Sequence, residues 1–244
     1  MHAAAVKPWA IGYLVHGHTT AINTTKVRAT SWRRSIVVRV SRCSTSMPRM
    51  MLEAWVIRVL ISDMPDDLRG LRDRALLLLG FAGALRRSEL VALDASDIEE
   101  GADGIFVRIG RSKTDQEGAG DFVSIPYGSR LRPVRALKDW IEASGISDGP
   151  LFRRIRKGGR VIEAERLSDR SVANILKLHA RSVGLDDVAF SGHSLRAGFV
   201  TSALQAGADV LRVMDITRHR QINTLKVYDR RAKAFKQHAG EAFL

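Results

Sequence analysis

The chain has 244 residues, enough for one sizeable domain or one domain with an appendage. Its single cysteine, Cys43, excludes an internal disulfide and points to a reducing compartment, while the longest apolar run, Ala75 to Leu85, covers eleven residues, too few to span a bilayer. A formal net charge of +13 implies a polyanionic partner, nucleic acid ahead of an anionic membrane.

Residues 1–48 carry seven basic residues and no acidic one, with no sustained helical or strand period. This irregular basic segment is set apart from a domain expected over residues 49–244. Three readings stay open for it: a targeting segment, a disordered arm or remnant that touches nucleic acid, or a start placed upstream of the true frame. His16 and His18 have no Cys, Asp or Glu nearby, so no metal site is expected there.

From Met50 the pattern becomes regular. Met51, Leu52, Trp55, Val56, Val59 and Leu60 recur at helical spacing. Pro65 and Gly70 mark a turn, and Leu71 to Leu85 reads as a buried helix. Ser88 or Ser96 is expected to cap the next segments, with Glu89, Leu90 and Leu93 on a helical face. The alternation in Ile105–Ile109 predicts a strand, with Asp121–Ile125 as its hairpin partner across a loop holding Lys113. Pro133 to Ala143 is expected to be a helix with Trp140 on its apolar face. Arg153, Arg154, Arg156, Lys157 and Arg160 lie within eight positions around two glycines and read as a basic loop suited to DNA backbone. Ser168 is expected to cap a helix carrying Val172, Ile175 and Leu176. Further helices are expected at 193–205 and about 208–216. The whole is a mainly α (α+β) fold with a small antiparallel sheet.

The chemistry concentrates late in the chain. In Ser191-Gly-His-Ser-Leu-Arg196, His193 and Arg196 are one helical turn apart near a helix start, whose N–H groups and dipole favour a phosphate. His219 follows within Thr217-Arg-His-Arg220, and nine residues later comes Tyr228, one of three tyrosines. Such a set suits a phosphate site with a phenolic nucleophile. In Ala84-Leu-Arg-Arg-Ser-Glu-Leu90, Arg86 is expected at the end of the buried helix, with Glu89 near enough to orient its guanidinium. Taken alone, such a pair is usually a surface ion pair.

In order and spacing this set resembles the tyrosine recombinase (phage integrase) family over roughly Leu68 to Tyr228. By that resemblance Arg86 and Arg196 clamp the scissile phosphate, Lys113 protonates the leaving 5′-oxygen, and Tyr228 is the nucleophile. His193 matches the first histidine of the motif, His219 the phosphate-binding histidine, and Glu89 the supporting acid. The family carries Gly-Leu-Arg where this chain has Ala84-Leu-Arg86, and Leu-Gly-His where it has Thr217-Arg-His219. The resemblance implies site-specific recombination or integration of double-stranded DNA through a covalent 3′-phosphotyrosine. It further implies no metal or other cofactor, a homotetramer on DNA, no membrane association, and a cytoplasmic, nucleoid-associated place of work. Two rivals remain: type IB topoisomerase-like relaxation, and a truncated DNA-binding remnant that does not recombine.

Overall fold

The computed structural model describes residues 52–110, 121–219 and 221. Helix α1 (Ala54–Asp63) buries Val56, Ile57 and Leu60 on one face. Helix α2 (Leu68–Ala82) begins where the Asp67 carboxylate accepts from Gly70 N–H at 2.8 Å, an N-cap that also favours the helix dipole. Its run Leu76–Leu79 is buried on every side, which makes α2 the central helix. It packs most extensively on α4 (Pro133–Ser144), whose Trp140 is fully buried and donates its indole N–H to the Leu151 carbonyl at 2.9 Å. The buried ring thus keeps its one polar group paired.

Between these helices lie α3 (Arg87–Ala92), a 3₁₀ turn (Ala95–Asp97) and a three-stranded antiparallel sheet. Strands β1 (Ile98–Gly101), β2 (Gly104–Ile109) and β3 (Asp121–Pro126) run in that order. Ile105, Val107 and Ile109 alternate inward opposite Ile125, Val123 and Asp121, as a half-buried hairpin requires. A second hairpin, β4 (Arg153–Ile155) with β5 (Ile162–Arg166), leads into α5 (Asp169–Ser182), capped by Ser168. Then come a 3₁₀ turn (Asp187–Ala189), α6 (Ser194–Gln205) and α7 (Val210–Thr217).

The main core gathers around α2, while Val200, Leu204 and Val213 form a small second cluster joining α6 to α7. Phe81 of α2 meets Phe199 of α6 edge to face, ring centroids 6.1 Å apart. At the other end of α2, Asp73 accepts from Arg72 Nε and Nη2 at 2.9 and 2.6 Å and bonds His179 of α5 at 2.9 Å, all three being buried. Among the described residues, no helix is long and apolar enough to cross a membrane.

Three boundaries differ from expectation. Gly70, expected in the turn before the buried helix, is the third residue of α2, which starts at Leu68. Helix α2 stops at Ala82, three residues early, because Gly83 closes it and Ala84 turns into the left-handed region at φ 47°. Neither Ser88 nor Ser96 is a cap: Ser88 lies inside α3, and the 3₁₀ turn starts from Asp94.

Candidate active site

Because the chain reverses at Ala84, Arg86 is not at the end of the buried helix. It is the N-cap residue of α3, and about half of its side chain is exposed. This placement removes the cost of burying a charge at a helix end. Glu89, at the third position of α3, accepts from the Arg86 backbone N–H at 2.8 Å and from Arg86 Nη1 at 2.5 Å. Nη1 is held by Oε1, whereas Oε2 takes the backbone N–H and also accepts from Arg218 Nη2 at 2.5 Å. One carboxylate therefore holds two guanidiniums, from segments 129 residues apart.

Arg196 emerges from the first turn of α6 and is 7% exposed. Its Nη1 donates to the Ala84 carbonyl at 2.9 Å and its Nη2 donates to the Thr217 carbonyl. Both acceptors sit at helix ends, where carbonyls lack intrahelical partners. A guanidinium carries five donors in one plane, so anchoring through two of them is compatible with a contact to an anion.

Thr217, the last residue of α7, is fully buried. Its hydroxyl donates back to the Val213 carbonyl at 2.7 Å and meets His219 Nδ1 at 2.6 Å. Since the hydroxyl proton is used on a carbonyl that can only accept, His219 donates from Nδ1 and keeps its lone pair on Nε2. Burial, followed by the positive charges of Arg196, Arg86 and Arg218, pushes the His219 pKa down to about 4. The imidazole is accordingly neutral at physiological pH.

Three segments far apart in the chain thus converge: Arg86 and Glu89 on α3, Arg196 on α6, and Thr217 to His219 at the end of α7. His193 is the exposed N-cap residue of α6, one turn ahead of Arg196, and lies outside that bonded cluster among the described residues. Lys113 and Tyr228 lie outside the described residues. Among the described residues, no group of three or more His, Cys, Asp or Glu side chains could hold a metal ion.

The basic stretch is not a simple loop, since Arg153–Ile155 is strand β4. Arg153 spends its guanidinium on the Pro150 and Asp148 carbonyls, and Arg156 pairs with Glu163 at 2.9 Å. Arg154, Arg156, Lys157 and Arg160 are exposed. The hairpin is tied to the N-terminal end of α2, through Arg69 to the Arg156 carbonyl and Arg72 to the Arg153 carbonyl. Arg86 follows the opposite end of the same helix, which at 1.5 Å per residue is about 20 Å long. The base of the hairpin is tied to the far end of α3 as well, where Arg166 donates to the Val91 and Leu93 carbonyls and pairs with Asp94.

Sequence reasoning missed the parts played by Thr217 and Arg218. The Arg218 side chain is 12% exposed and engaged with Glu89. A usable signal was present, because both positions where the family carries glycine, Ala84 and Arg218, have left-handed backbones, with φ 47° and 54°.

The profile of the phage integrase family matches residues 51–234. An integrase/recombinase xerD homolog of Selenomonas ruminantium is 42% identical over 184 residues, covering 74% of this chain and 54% of that protein. Tyrosine recombinase XerD of Xanthomonas axonopodis pv. citri is 30% identical over 193 residues, covering 75% of this chain and 57% of its own. The chain thus spans about half the length of the curated relatives it matches. In fold it is similar to XerH site-specific recombinase bound to palindromic difH substrate, with a TM-score of 0.61, 18% identity, and coverage of 80% of this chain and 52% of that one. It is also similar to XerA recombinase, with a TM-score of 0.58, 18% identity, and coverage of 80% and 65%.

Proposed function

The chain belongs to the phage integrase family, and from that premise we propose that it cleaves and rejoins double-stranded DNA in site-specific recombination. The observation that carries this reading is Arg196, buried yet bonded to the carbonyls before Arg86 and before His219. It holds three basic side chains from three segments around one position, where an anionic phosphodiester would be the counter-charge.

In this reading the Tyr228 oxygen attacks phosphorus and the bond to the 5′-oxygen breaks. A 3′-phosphotyrosine is left, with a free 5′-hydroxyl. The phenolic proton passes to His193, and the departing oxygen takes a proton from Lys113. Arg86 and Arg196 stabilise the charge that develops on the non-bridging oxygens, as planar bidentate donors do best. His219 is neutral, so it adds a hydrogen bond and not a third charge. Fixed cations thereby take the part that metal ions play elsewhere, and no cofactor is required. The phosphotyrosine conserves the bond energy for rejoining. Arg154, Arg156, Lys157 and Arg160 contact backbone phosphate, which positions DNA without reading bases. The working form is a homotetramer on DNA, in the cytoplasm at the nucleoid.

The test is a nicked suicide duplex carrying sequence that flanks the gene, incubated with purified protein and EDTA. A detergent-stable protein–DNA adduct should form, map to Tyr228, and vanish in Tyr228→Phe while non-covalent binding persists. An adduct that survives in Tyr228→Phe, or cleavage that requires a divalent ion, overturns the mechanism.

A further inference from the structure

We propose that Arg218 is a positioning residue that keeps the Arg86 guanidinium aimed at the phosphate and available to it, acting through Glu89. This rests on the phosphate-clamp reading of Arg86 and Arg196.

The geometry is a relay through one carboxylate. Glu89 Oε1 meets Arg86 Nη1 and Oε2 meets Arg218 Nη2, both at 2.5 Å, and the side chains of Glu89 and Arg218 are each 12% exposed. Arg86, at 49%, is the outermost member and the one an incoming anion would meet. Without Arg218, Glu89 would have Arg86 alone as its ionic partner and would neutralise most of its charge. With Arg218 beneath, the carboxylate is shared, one positive charge stays in excess, and it is presented on the outer side. Charge-assisted bonds of this kind also fix the plane of the guanidinium, which a phosphate must match.

Arg218 holds this post in a left-handed conformation at φ 54°, which a side chain with a Cβ adopts only at a cost in energy. Such strain tends to be retained where the surrounding contacts use it. The same residue ends α7 immediately before His219, so it also ties the clamp's third segment to its first.

Inorganic phosphate is the probe, titrated into the isotope-labelled full-length chain while the side-chain N–H signals of Arg86 and Arg196 are followed by NMR. In Arg218→Gly, a change that relieves backbone strain and so spares the fold, phosphate affinity read at Arg86 should fall about ten-fold, the scale of one charge-assisted bond. Arg218→Lys should recover most of it. In a Glu89→Gln background the effect of Arg218→Gly should shrink, because the relay is already cut. Wild-type affinity in Arg218→Gly, or additive effects of the two substitutions, would overturn the positioning role while leaving the clamp standing. If phosphate moves neither arginine in the wild type, the clamp reading falls, and this one with it.

Discussion

Arg196 reaches across 112 residues to hydrogen-bond the carbonyl of Ala84, and that bond explains how a buried arginine can be both scaffold and reagent. Ala84 is the left-handed residue that ends α2, so its carbonyl has no helical partner and is presented to the guanidinium. The second bond, to Thr217, makes the same plane the joint between α2, α6 and α7. Arg196→Lys keeps the charge but has a single ammonium, which cannot reach both carbonyls in that fork geometry. We expect the variant to lose about 1–3 kcal/mol of stability, the cost of one buried carbonyl left unpaired. Covalent trapping should drop far more steeply than that loss explains. Urea unfolding and suicide-substrate trapping measure the two; a variant with full trapping would show that Arg196 is scaffold alone.

His219 gives a pH prediction whose sign is set by its lowered pKa, about 4 against an ordinary 6.5. Between these values the unfolded chain binds a proton that the folded chain does not, so this group's contribution to stability falls as pH drops through that window. Below about pH 4 the contribution is flat, and above 6.5 it is fully present. The ring C–H signals of His219 should therefore show no titration between pH 8 and about pH 5 on the scale where free histidine titrates. A midpoint near 6.5 would place the ring away from the three arginines.

Most of the helical frame was readable because its signals are local. The leucine run of α2, the Ser168 cap and the alternation of β2 and β3 each lie within a few residues, and each appears where its pattern points. What escaped depends on distance in the chain. The bond between Asp73 and His179 spans 106 residues, and nothing in Arg72-Asp73 distinguishes a buried pair from a solvated helix face. The Arg153–Ile155 strand is three residues long, below what alternation can show, and was masked by its charge. The site was legible as a set of residue types; its assembly through Ala84, Thr217 and Arg218 was not, because it runs through backbone carbonyls and left-handed turns.

Asp73 is the keystone of a buried charged cluster, and its loss should be felt in stability alone. It accepts from Arg72 twice and bonds His179, and the three residues are 8%, 3% and 7% exposed in chain order. Asp73→Ala would strand the Arg72 cation and one imidazole nitrogen in the interior, a change that typically costs about 3–5 kcal/mol. The cluster lies towards the end of α2 opposite Arg86, so folded protein should trap DNA as well as the wild type does. Chemical denaturation should reveal the first effect, and trapping per mole of folded protein the second. A loss under about 1 kcal/mol would mean that water satisfies these groups.

Two glycines on facing helices should respond differently to the same added methyl group. At Gly198 of α6, a Cβ would stand 1.8 Å from the Leu52 carbonyl oxygen, a backbone atom in the segment entering α1. At Gly80 of α2, the nearest atom would be Leu90 Cδ2 at 2.8 Å, the tip of a side chain. Alanine in a helix interior gains about 1 kcal/mol over glycine at either place. A rotamer change by Leu90 can accommodate the methyl at Gly80, leaving Gly80→Ala within about 1 kcal/mol of the wild type. At Gly198 the backbone itself must move, and with it the bond from Ala54 N–H to Ser202 Oγ at 2.9 Å, which fastens α1 to α6. Gly198→Ala should therefore cost about 3 kcal/mol or more, the upper range for overpacking a core. Since Arg196 lies two residues before Gly198, the displaced helix should also reduce covalent trapping, whereas Gly80→Ala should leave trapping intact. Thermal unfolding of the two variants side by side decides it: equal shifts would mean that the entry to α1 yields as readily as a leucine side chain.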